Sequence, residues 1–459
     1  MAEAPESALR ALSAALSPGT LVTDPDLLAA YCQDEARLVP GGLPLAAAVV
    51  RSTADVSEVM SWASTYGVPV VPRGAGTGLA GGAAGVAGGV VLSTARLDRI
   101  RELDPDDQLA VAEAGVVNAR LDQAAAEVGL MYAPDPSSWE ISTIGGNLAT
   151  NAGGLRCVKY GVTRDAVLGL EVVLADGRVL HTGRRTVKGV AGLDLTGLFV
   201  GSEGILGVIT AATLRLRPRP PQPPATILGL FPDLPAAGKA VLDVTRARIP
   251  VCLLELMDEA TLKAIDGWKR TGLDPGTRAA VIAQVDEAHP VGPAEAVVEA
   301  FQGAGAYFAQ YGTGAEEAAQ LLELRRLAYP ATERLGATLV EDVAVPRTRL
   351  VDMLMAIEAI GERHGVLIAT VAHAGDGNLH PVFVFDRREE GAPPEVWAAA
   401  DEVFRTALSL GGTLTGEHGV GALKRRWLHE ELGEVSMDVH RAIKEALDPL
   451  GILNPGKVL

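Results

Sequence analysis

The stretch GAGTGLAGGAAGVAGG, residues 74 to 89, limits what this chain can build more than any other. It follows VPVVPR, which reads as a strand. Residues 76 to 81, GTGLAG, match GxGxxG, and after a strand that pattern suggests a dinucleotide loop. A Rossmann loop, however, must open a helix whose N-terminus holds the pyrophosphate. Here the continuation carries Gly82, Gly85, Gly88 and Gly89, each costing about 1 kcal/mol inside a helix. It then runs directly into GVVLST, a second strand. The segment is therefore expected to be a long loop whose backbone N–H groups form a nest for anionic oxygens. Taken alone, a flexible surface loop is the lesser, competing reading.

Two further stretches change that weighting. Residues 134 to 154, PDPSSWEISTIGGNLATNAGG, place hydroxyls at Ser137, Ser138, Ser142, Thr143 and Thr150 among small turns. Gly145, Gly146, Gly153 and Gly154 let the backbone approach a flat or anionic ligand closely. Residues 201 to 210, GSEGILGVIT, repeat the theme just before a strand. Three such loops in one domain point to one shared ligand rather than three accidental linkers.

With 459 residues the chain is too long for one simple core, and two or three domains are expected. Residues 8 to 16 read as a helix stopped by Ser17-Pro18-Gly19. AAAVVRS is a strand, and DVSEVMSWASTYG is a helix with Asp55 as its cap and Gly67 as its stop. Later strands are expected in LAVAEAG, GLEVVLADGRVLHTG and ILGVITAATLRLRPRP. The Pro-rich run RPRPPQPPA, 217 to 225, is the clearest boundary. Beyond it ATILGLF, PVCLLELMD and AAVIAQVDEA read as strands separated by helices, a second α+β domain on a largely antiparallel sheet. A helical tail, VSMDVHRAIKEALDPLG, leads into ILNPGKVL, and there is no internal repeat.

A net charge of −17 argues against a nucleic-acid partner and against electrostatic docking on anionic lipid. Cys32, Cys157 and Cys252 are far apart with no CxxC pair, so neither a disulfide scaffold nor an iron–sulfur cluster is expected. The acidic, Ala-rich opening has no basic region followed by an apolar block, and no secretory leader is expected. No apolar run reaches the roughly 20 residues of a membrane helix. The expected location is the cytoplasm, with peripheral membrane association only through an electron-accepting partner.

One motif remains. In HAGDGNLHPVF, residues 373 to 383, His373 and His380 bracket a turn, Gly375-Asp376-Gly377-Asn378. Alone, that spacing is more often two ordinary polar residues beside a loop than a metal or catalytic site.

Residues 41 to 219 resemble the FAD-binding domain of the vanillyl-alcohol-oxidase/p-cresol-methylhydroxylase type. The matching text, in order, is PRGAGTGLAGGA, PDPSS…STIGGNLATNAGG…KYG, VLGLEVVLADG and GSEGILGVIT. The resemblance implies that Gly74, Ala75, Gly76, Thr77 and Gly78, with Arg73 beside them, cradle the FAD pyrophosphate. It also implies that Pro134, Ser138, Thr143, Gly146, Asn151, Gly153 and Gly154 line the isoalloxazine and ribityl chain. Glu203, Gly204 and Ile209 would follow the adenosine half. Asn454 would reach the flavin edge, although Asn-Pro is also an ordinary turn. Some members attach flavin through a histidine in the first loop; Thr77 stands there in this chain, so non-covalent FAD is expected.

Beyond the Pro-rich boundary the chain also looks like the FAD-linked 2-hydroxyacid dehydrogenases. LRRLAYPA (324–331), EDVAVPRTRL (341–350), HAGDGNLHP (373–381), GEHGVG (416–421) and LNPGK (453–457) carry the likeness. The implied fold is α+β: a helical lead-in (1–40), a two-part FAD-binding domain (41–219), and a substrate and metal domain with an antiparallel sheet and a helical C-terminal segment (220–459). The implied site has His373, His380 and Glu417 on Zn(II) or Mn(II), two imidazoles and a carboxylate with positions open for substrate. His418 would be the general base, Arg325 the clamp for the substrate carboxylate, and Asn378 a further substrate-facing residue. Glu417 could instead orient His418, Arg326 could take the clamp role, and Asn378 could cap the turn. Lys424 reads as a solvated charge. Members that take hydroxyglutarate place a threonine and a lysine near the clamp; Tyr329 and Val340 stand there here, which favours small monocarboxylates such as glycolate or D-lactate.

The expected partners are that small 2-hydroxyacid and an electron acceptor: a partner subunit, an electron-transfer protein, a quinone or a dye. The oligomeric state stays open, a homodimer among the options. A flavin alcohol oxidase or ether-forming enzyme on the same scaffold, and a non-catalytic flavin subunit, are the competing readings.

Overall fold

The computed structural model describes residues 6–386 and 391–459. Packing divides the chain into two compact units. The first takes residues up to 153, then 161–219 and 417–459; the second takes 154–160 and 220–416. The stretch expected as one C-terminal domain, 220–459, is thus shared between them, because the segment from Glu417 onward packs with the first unit.

The first unit carries two main sheets. In the smaller, Ala46–Val49 and Val70–Arg73 both pair in parallel with Val90–Ser93. Leu21–Val22 adds an antiparallel edge. The helix Thr53–Tyr66 connects the first two parallel strands, as such pairs require. Its cap is Ser52 rather than Asp55. The Ser52 hydroxyl accepts the Asp55 N–H at 3.1 Å while the Asp55 carboxylate accepts the Ser52 N–H at 3.1 Å. This is a capping box, in which the acidic residue belongs at the third helical position. Gly67 ends the helix with φ 64°. Between Arg73 and Val90 the chain forms turns and loop and no helix, as the glycines dictate.

The larger sheet of this unit is antiparallel throughout. Its order is Ile100–Asp104, Leu109–Glu113, Val208–Arg215, Val167–Val173, Val179–Gly183. Leu121, Ile144, Leu148, Val172 and Leu214 are fully buried in one cluster against it. Each such side chain contributes about 1.5–3 kcal/mol. Part of GGNLATN is not a loop: Ile144–Thr150 is a short helix. The Thr143 hydroxyl accepts the Gly146 N–H at 3.3 Å to start it, and Asn151, at φ 54°, stops it. Its glycines serve close packing, since a Cβ on Gly145 would lie 2.6 Å from that of Ala114. Tertiary contact overrides the poor helix propensity.

The last helix, Arg425–Leu447, is interrupted at Gly433, which has φ 71° and ψ 170°. The Lys444 ammonium donates to Ile205 O at 2.7 Å and Leu453 O at 2.8 Å. Leu453 bridges Val70, and the Asn454 N–H donates to Val70 O at 2.8 Å, so the chain end pairs with the strand that leads into the first glycine loop.

The second unit is built on one antiparallel sheet. Its order is Phe308–Gly312, Ala225–Phe231, Ala279–Val285, Leu253–Asp258, Leu367–His373, Asn378–Phe385, Ala337–Val340, with Val343–Ala344 also on Asn378–Phe385. Ala225–Phe231 and Ala279–Val285 are buried at every residue, which explains their unbroken apolar text. Leu262 and Ile265 from one helix and Ala328 and Ala331 from another pack with sheet residues Leu228, Leu253 and Ile282. Phe301 of Val291–Ala304 meets Phe231 edge-on, ring centroids 5.7 Å apart. Among the described residues no helix is long and apolar enough to cross a membrane.

Candidate active site

In the first unit a cavity opens between the glycine loops. Arg73, Gly74, Ala75, Gly76, Thr77, Gly78, Ser138, Thr143, Gly146, Glu203, Gly204 and Ile209, all expected around a cofactor, line it. The loops touch one another: a Cβ on Gly74 would lie 2.3 Å from Thr143 Oγ1. Pro134, Asn151 and Asn454 stand outside the lining. The Pro134 carbonyl accepts from Asn118 Nδ2 at 3.0 Å. Asn151 Oδ1 accepts the Arg164 N–H at 2.9 Å. Asn454 Nδ2 donates to Gly82 O at 2.9 Å and Glu203 O at 2.8 Å, tying two walls together. Gly153 makes room for Glu417, whose Oε2 would sit 2.4 Å from an added Cβ. Gly154 belongs to the second unit.

Arg73 does not send its charge into the cavity alone. Its guanidinium donates to Gln33 O at 2.9 Å and Ala83 O at 3.0 Å, fastening the glycine loop from behind. Asp34 accepts the Ala83 N–H at 3.1 Å from the same side, and burial raises its pKa. Glu203 holds a left-handed backbone, φ 49°. Its carboxylate accepts the Val420 N–H at 2.7 Å and the Gly421 N–H at 2.8 Å. Burial pushes its pKa up to about 7, against those hydrogen bonds and the charge of Lys424. Lys424 is not solvated as the sequence suggested; it is 1% exposed, and its charge acts on the buried Glu203 carboxylate.

Glu417 and His418 also line this cavity. So does Asn147, which sequence reasoning passed over. Its Nδ2 is buried with no hydrogen-bond partner among the described residues, as is Asn454 Oδ1. Buried amides rarely stay unsatisfied, so Asn147 gives the wall a polar group made for a bound partner. Backbone-walled loops, that orphaned amide and a closing tail fit a flavin dinucleotide.

In the second unit the two histidines are brought together by strand geometry. His373 ends the strand Leu367–His373, and Asn378 opens the next, so only 374–377 form the turn. Gly377 holds φ 81° there, and a Cβ on it would lie 2.2 Å from Val345 O. Asn378 pairs directly with His373, and His380 with Val371. Side chains two apart share a face, so both imidazoles emerge on one side. Their ring centroids are 4.9 Å apart and nearly perpendicular, and each residue is 6% exposed.

Carboxylates stand behind both rings. Glu255 accepts from His373 Nδ1 at 2.6 Å and from Arg325 Nε at 2.7 Å. Burial opposes its charge, but His373 and Arg325 outweigh that and hold its pKa below the ordinary glutamate value. An ionised carboxylate only accepts, so His373 Nδ1 carries a proton toward Glu255, and Nε2 is the ring nitrogen left for another partner. Asp342 lies 3.8 Å from His380 Nδ1 and accepts from Thr415 Oγ1 at 2.6 Å. Asn378 gives both amide hydrogens away, to Asp342 at 2.6 Å and to Val343 O at 2.9 Å. Its donors therefore hold the hairpin rather than a substrate.

Glu255 and Asp342 were missed in the sequence. The signal for Glu255 was present: a glutamate inside the apolar run VCLLELMD must be paired or exposed. Arg326 neighbours Arg325 in sequence, but Arg325 is the one held by Glu255. Tyr329 follows Arg325 by four residues on the same helix, its hydroxyl 3.4 Å from Thr338 Oγ1, and Val340 ends the strand that carries Thr338.

Residues 220–458 match the family described as FAD linked oxidases, C-terminal domain, and residues 44–183 match the FAD binding domain. Over 424 residues the chain is 42% identical to a Bacillus subtilis protein named glycolate oxidase subunit GlcD, covering 91% of this chain and 89% of the relative. It is 37% identical to an Archaeoglobus fulgidus D-lactate dehydrogenase over 415 residues, 88% of this chain and 89% of that one. Among solved structures, substrate-bound p-cresol methylhydroxylase superposes with a TM-score of 0.79 at 19% identity, over 98% of this chain and 96% of that one, a likeness of fold alone.

Proposed function

The chain belongs to the FAD-linked oxidase family, an FAD-binding oxidoreductase, and on that premise we propose that it oxidises a small D-2-hydroxyacid of the glycolate or D-lactate type to the 2-oxoacid. The observation that carries this is Glu255 gripping His373 on one side and Arg325 on the other, which holds in one cluster an imidazole of the kind that suits a metal and a guanidinium of the kind that suits a carboxylate. Its relatives named for glycolate oxidase and D-lactate dehydrogenase support the same substrate class.

FAD supplies the two-electron acceptor for such a reaction when bound, and a divalent metal supplies a Lewis acid for the hydroxyl. The chain's own residues do the rest. His373 and His380 present two imidazoles on one strand face, and Glu417 is the proposed third ligand. Gly416 packs against Asn378, with a Cβ there only 2.3 Å from Asn378 Nδ2, and Glu417 is the next residue in the chain. The outer edge of the Arg325 guanidinium takes the substrate carboxylate in bidentate fashion. An imidazole nitrogen of His418, on the wall of the flavin cavity, takes the hydroxyl proton. Tyr329 and Val340 offer a second carboxylate no cation, which supports a monocarboxylic substrate.

We propose non-covalent FAD, since Thr77 stands at the loop position where a histidine would attach it. Electrons then leave to a separate acceptor, a partner subunit, a soluble carrier or a quinone, and on this reading the reaction takes place in the cytoplasm. The test is anaerobic flavin bleaching with glycolate, D-lactate, D-2-hydroxyglutarate and a para-alkylphenol, alongside metal analysis. Bleaching by the small hydroxyacids with one bound divalent metal is expected. Bleaching by the phenol alone would move the chain to the alcohol-oxidase reading.

A further inference from the structure

We propose that Glu255 is a positioning residue that couples the substrate clamp to the metal: one carboxylate sets the orientation of both the His373 imidazole and the Arg325 guanidinium. This deepens the metal-dependent reading above and rests on it.

Three observations support the role. First, Glu255 is 0% exposed in the middle of Leu253–Asp258, with fully buried Leu256 and Met257 beside it. A carboxylate there is retained only if its partners offset the loss of water. Second, the sheet register sets Glu255 directly opposite His373, so the strand pairing itself aims one at the other. The 2.6 Å contact to Nδ1 fixes the ring's tautomer and leaves Nε2 as the only nitrogen able to bind a metal. Third, the other carboxylate oxygen takes Arg325 Nε at 2.7 Å. That use of Nε stops the guanidinium turning about its own axis and leaves the two terminal amino groups side by side. Their fork matches a carboxylate.

A purely structural ion pair would need only one of these contacts. Sharing one carboxylate between two functional side chains means that displacing either displaces the other. Metal affinity and substrate-carboxylate affinity should therefore fall together when Glu255 is changed, although neither ligand touches it.

The test uses the FAD-loaded full chain as Glu255→Gln, which keeps shape and removes charge, and as Glu255→Asp, which keeps charge and shortens reach. Divalent-metal affinity is read by competition with a chromophoric chelator, and KM and kcat are read at saturating metal. For Glu255→Gln a metal Kd raised about 10–100-fold is expected, the usual range for a ligand's hydrogen-bond partner. KM should rise more than kcat falls. Glu255→Asp should recover part of the metal affinity; if the Gln variant does not accumulate, the Asp variant carries the test, with a smaller shift in the same direction. Lower thermal stability with metal Kd and KM unchanged would overturn the proposal, leaving Glu255 a core ion pair. A wild type that binds no divalent metal would remove the metal reading and this inference together, whereas a metal-binding wild type with an unmoved variant removes this inference alone.

Discussion

The Glu203 carboxylate accepts the Val420 N–H at 2.7 Å, joining residues 217 positions apart in the sequence. That bond, with the Asn454 amide on Glu203 O at 2.8 Å, makes the chain end part of the flavin unit. It also buries an acid beside a cofactor cavity, with a consequence for pH.

Burial pushes the Glu203 pKa up to about 7 in the fold, from the ordinary glutamate value of 4.5. A raised acid favours the fold by taking up a proton, so its contribution is full below about pH 4.5 and is lost as pH rises through 7. Urea unfolding of the FAD-free protein should show wild type losing on the order of 3 kcal/mol relative to Glu203→Gln between pH 4.5 and 7, at 1.36 kcal/mol per unit. Above pH 8 the two curves should run parallel. Curves parallel throughout would mean that Glu203 titrates normally.

Gly74→Ala should weaken FAD binding at least about tenfold. Its Cβ would sit 2.3 Å from the Thr143 hydroxyl, which is itself committed to the Gly146 N–H. Overpacking of this kind costs about 1–3 kcal/mol, and 1.4 kcal/mol is tenfold in affinity. Quenching of FAD fluorescence on titration into apoprotein measures it. Unchanged affinity would show that the two loops separate freely.

Acid precipitation of the holoprotein should leave yellow FAD in the supernatant. Thr77 offers no imidazole for attachment, and none of the cavity-lining residues in the first loop is a histidine. Flavin that stays with the pellet would require a covalent link elsewhere.

The glycine loops were legible in the sequence because a run such as 74–89 excludes helix on backbone grounds alone. The strand text on both sides of the Pro-rich run was legible as short apolar runs bounded by turn residues. Three things were not. Ile144–Thr150 folds as a helix against its own composition, since packing on Ala114 decides it. Lys424 is buried and its charge acts on Glu203, more than two hundred residues away, which no local window contains. The return of 417–459 to the first unit is set by pairings such as Val70 with Leu453, equally remote in sequence. For the site, His373 and His380 were visible as a motif, but Glu255 was hidden in strand text whose apolar neighbours drew the attention, and Asp342 lies in the short connection between two strands.

His373→Ala and His380→Ala should each lose the bound divalent metal and at least about 10² in turnover while keeping FAD, the scale expected for an essential group in acid–base or Lewis-acid chemistry. FAD should stay because the cavity that fits it is walled by first-unit residues, whereas both histidines belong to the second. Metal analysis and the flavin absorbance ratio read the two separately. Flavin lost in step with metal would mark the histidines as structural.

His418→Asn should keep both metal and flavin but slow flavin reduction by the hydroxyacid at least about 10²-fold, the usual scale for a missing general base. The argument rests on placement. His418 lines the flavin cavity and is followed by Gly419, at φ 84°, so the chain turns sharply beside it. Glu417, its neighbour, approaches Gly153 so closely that no side chain fits there, which fixes where that carboxylate sits on the same cavity wall, 3.9 Å from His418 Nε2. Asparagine fills a similar volume and hydrogen-bonds, yet accepts no proton, so the substitution separates proton removal from packing. Stopped-flow reduction under anaerobic conditions measures the step before any electron acceptor is involved. A variant that reduces flavin at the wild-type rate would assign the base elsewhere, to a hydroxide held by the metal, and His418 would then be a wall of the cavity only.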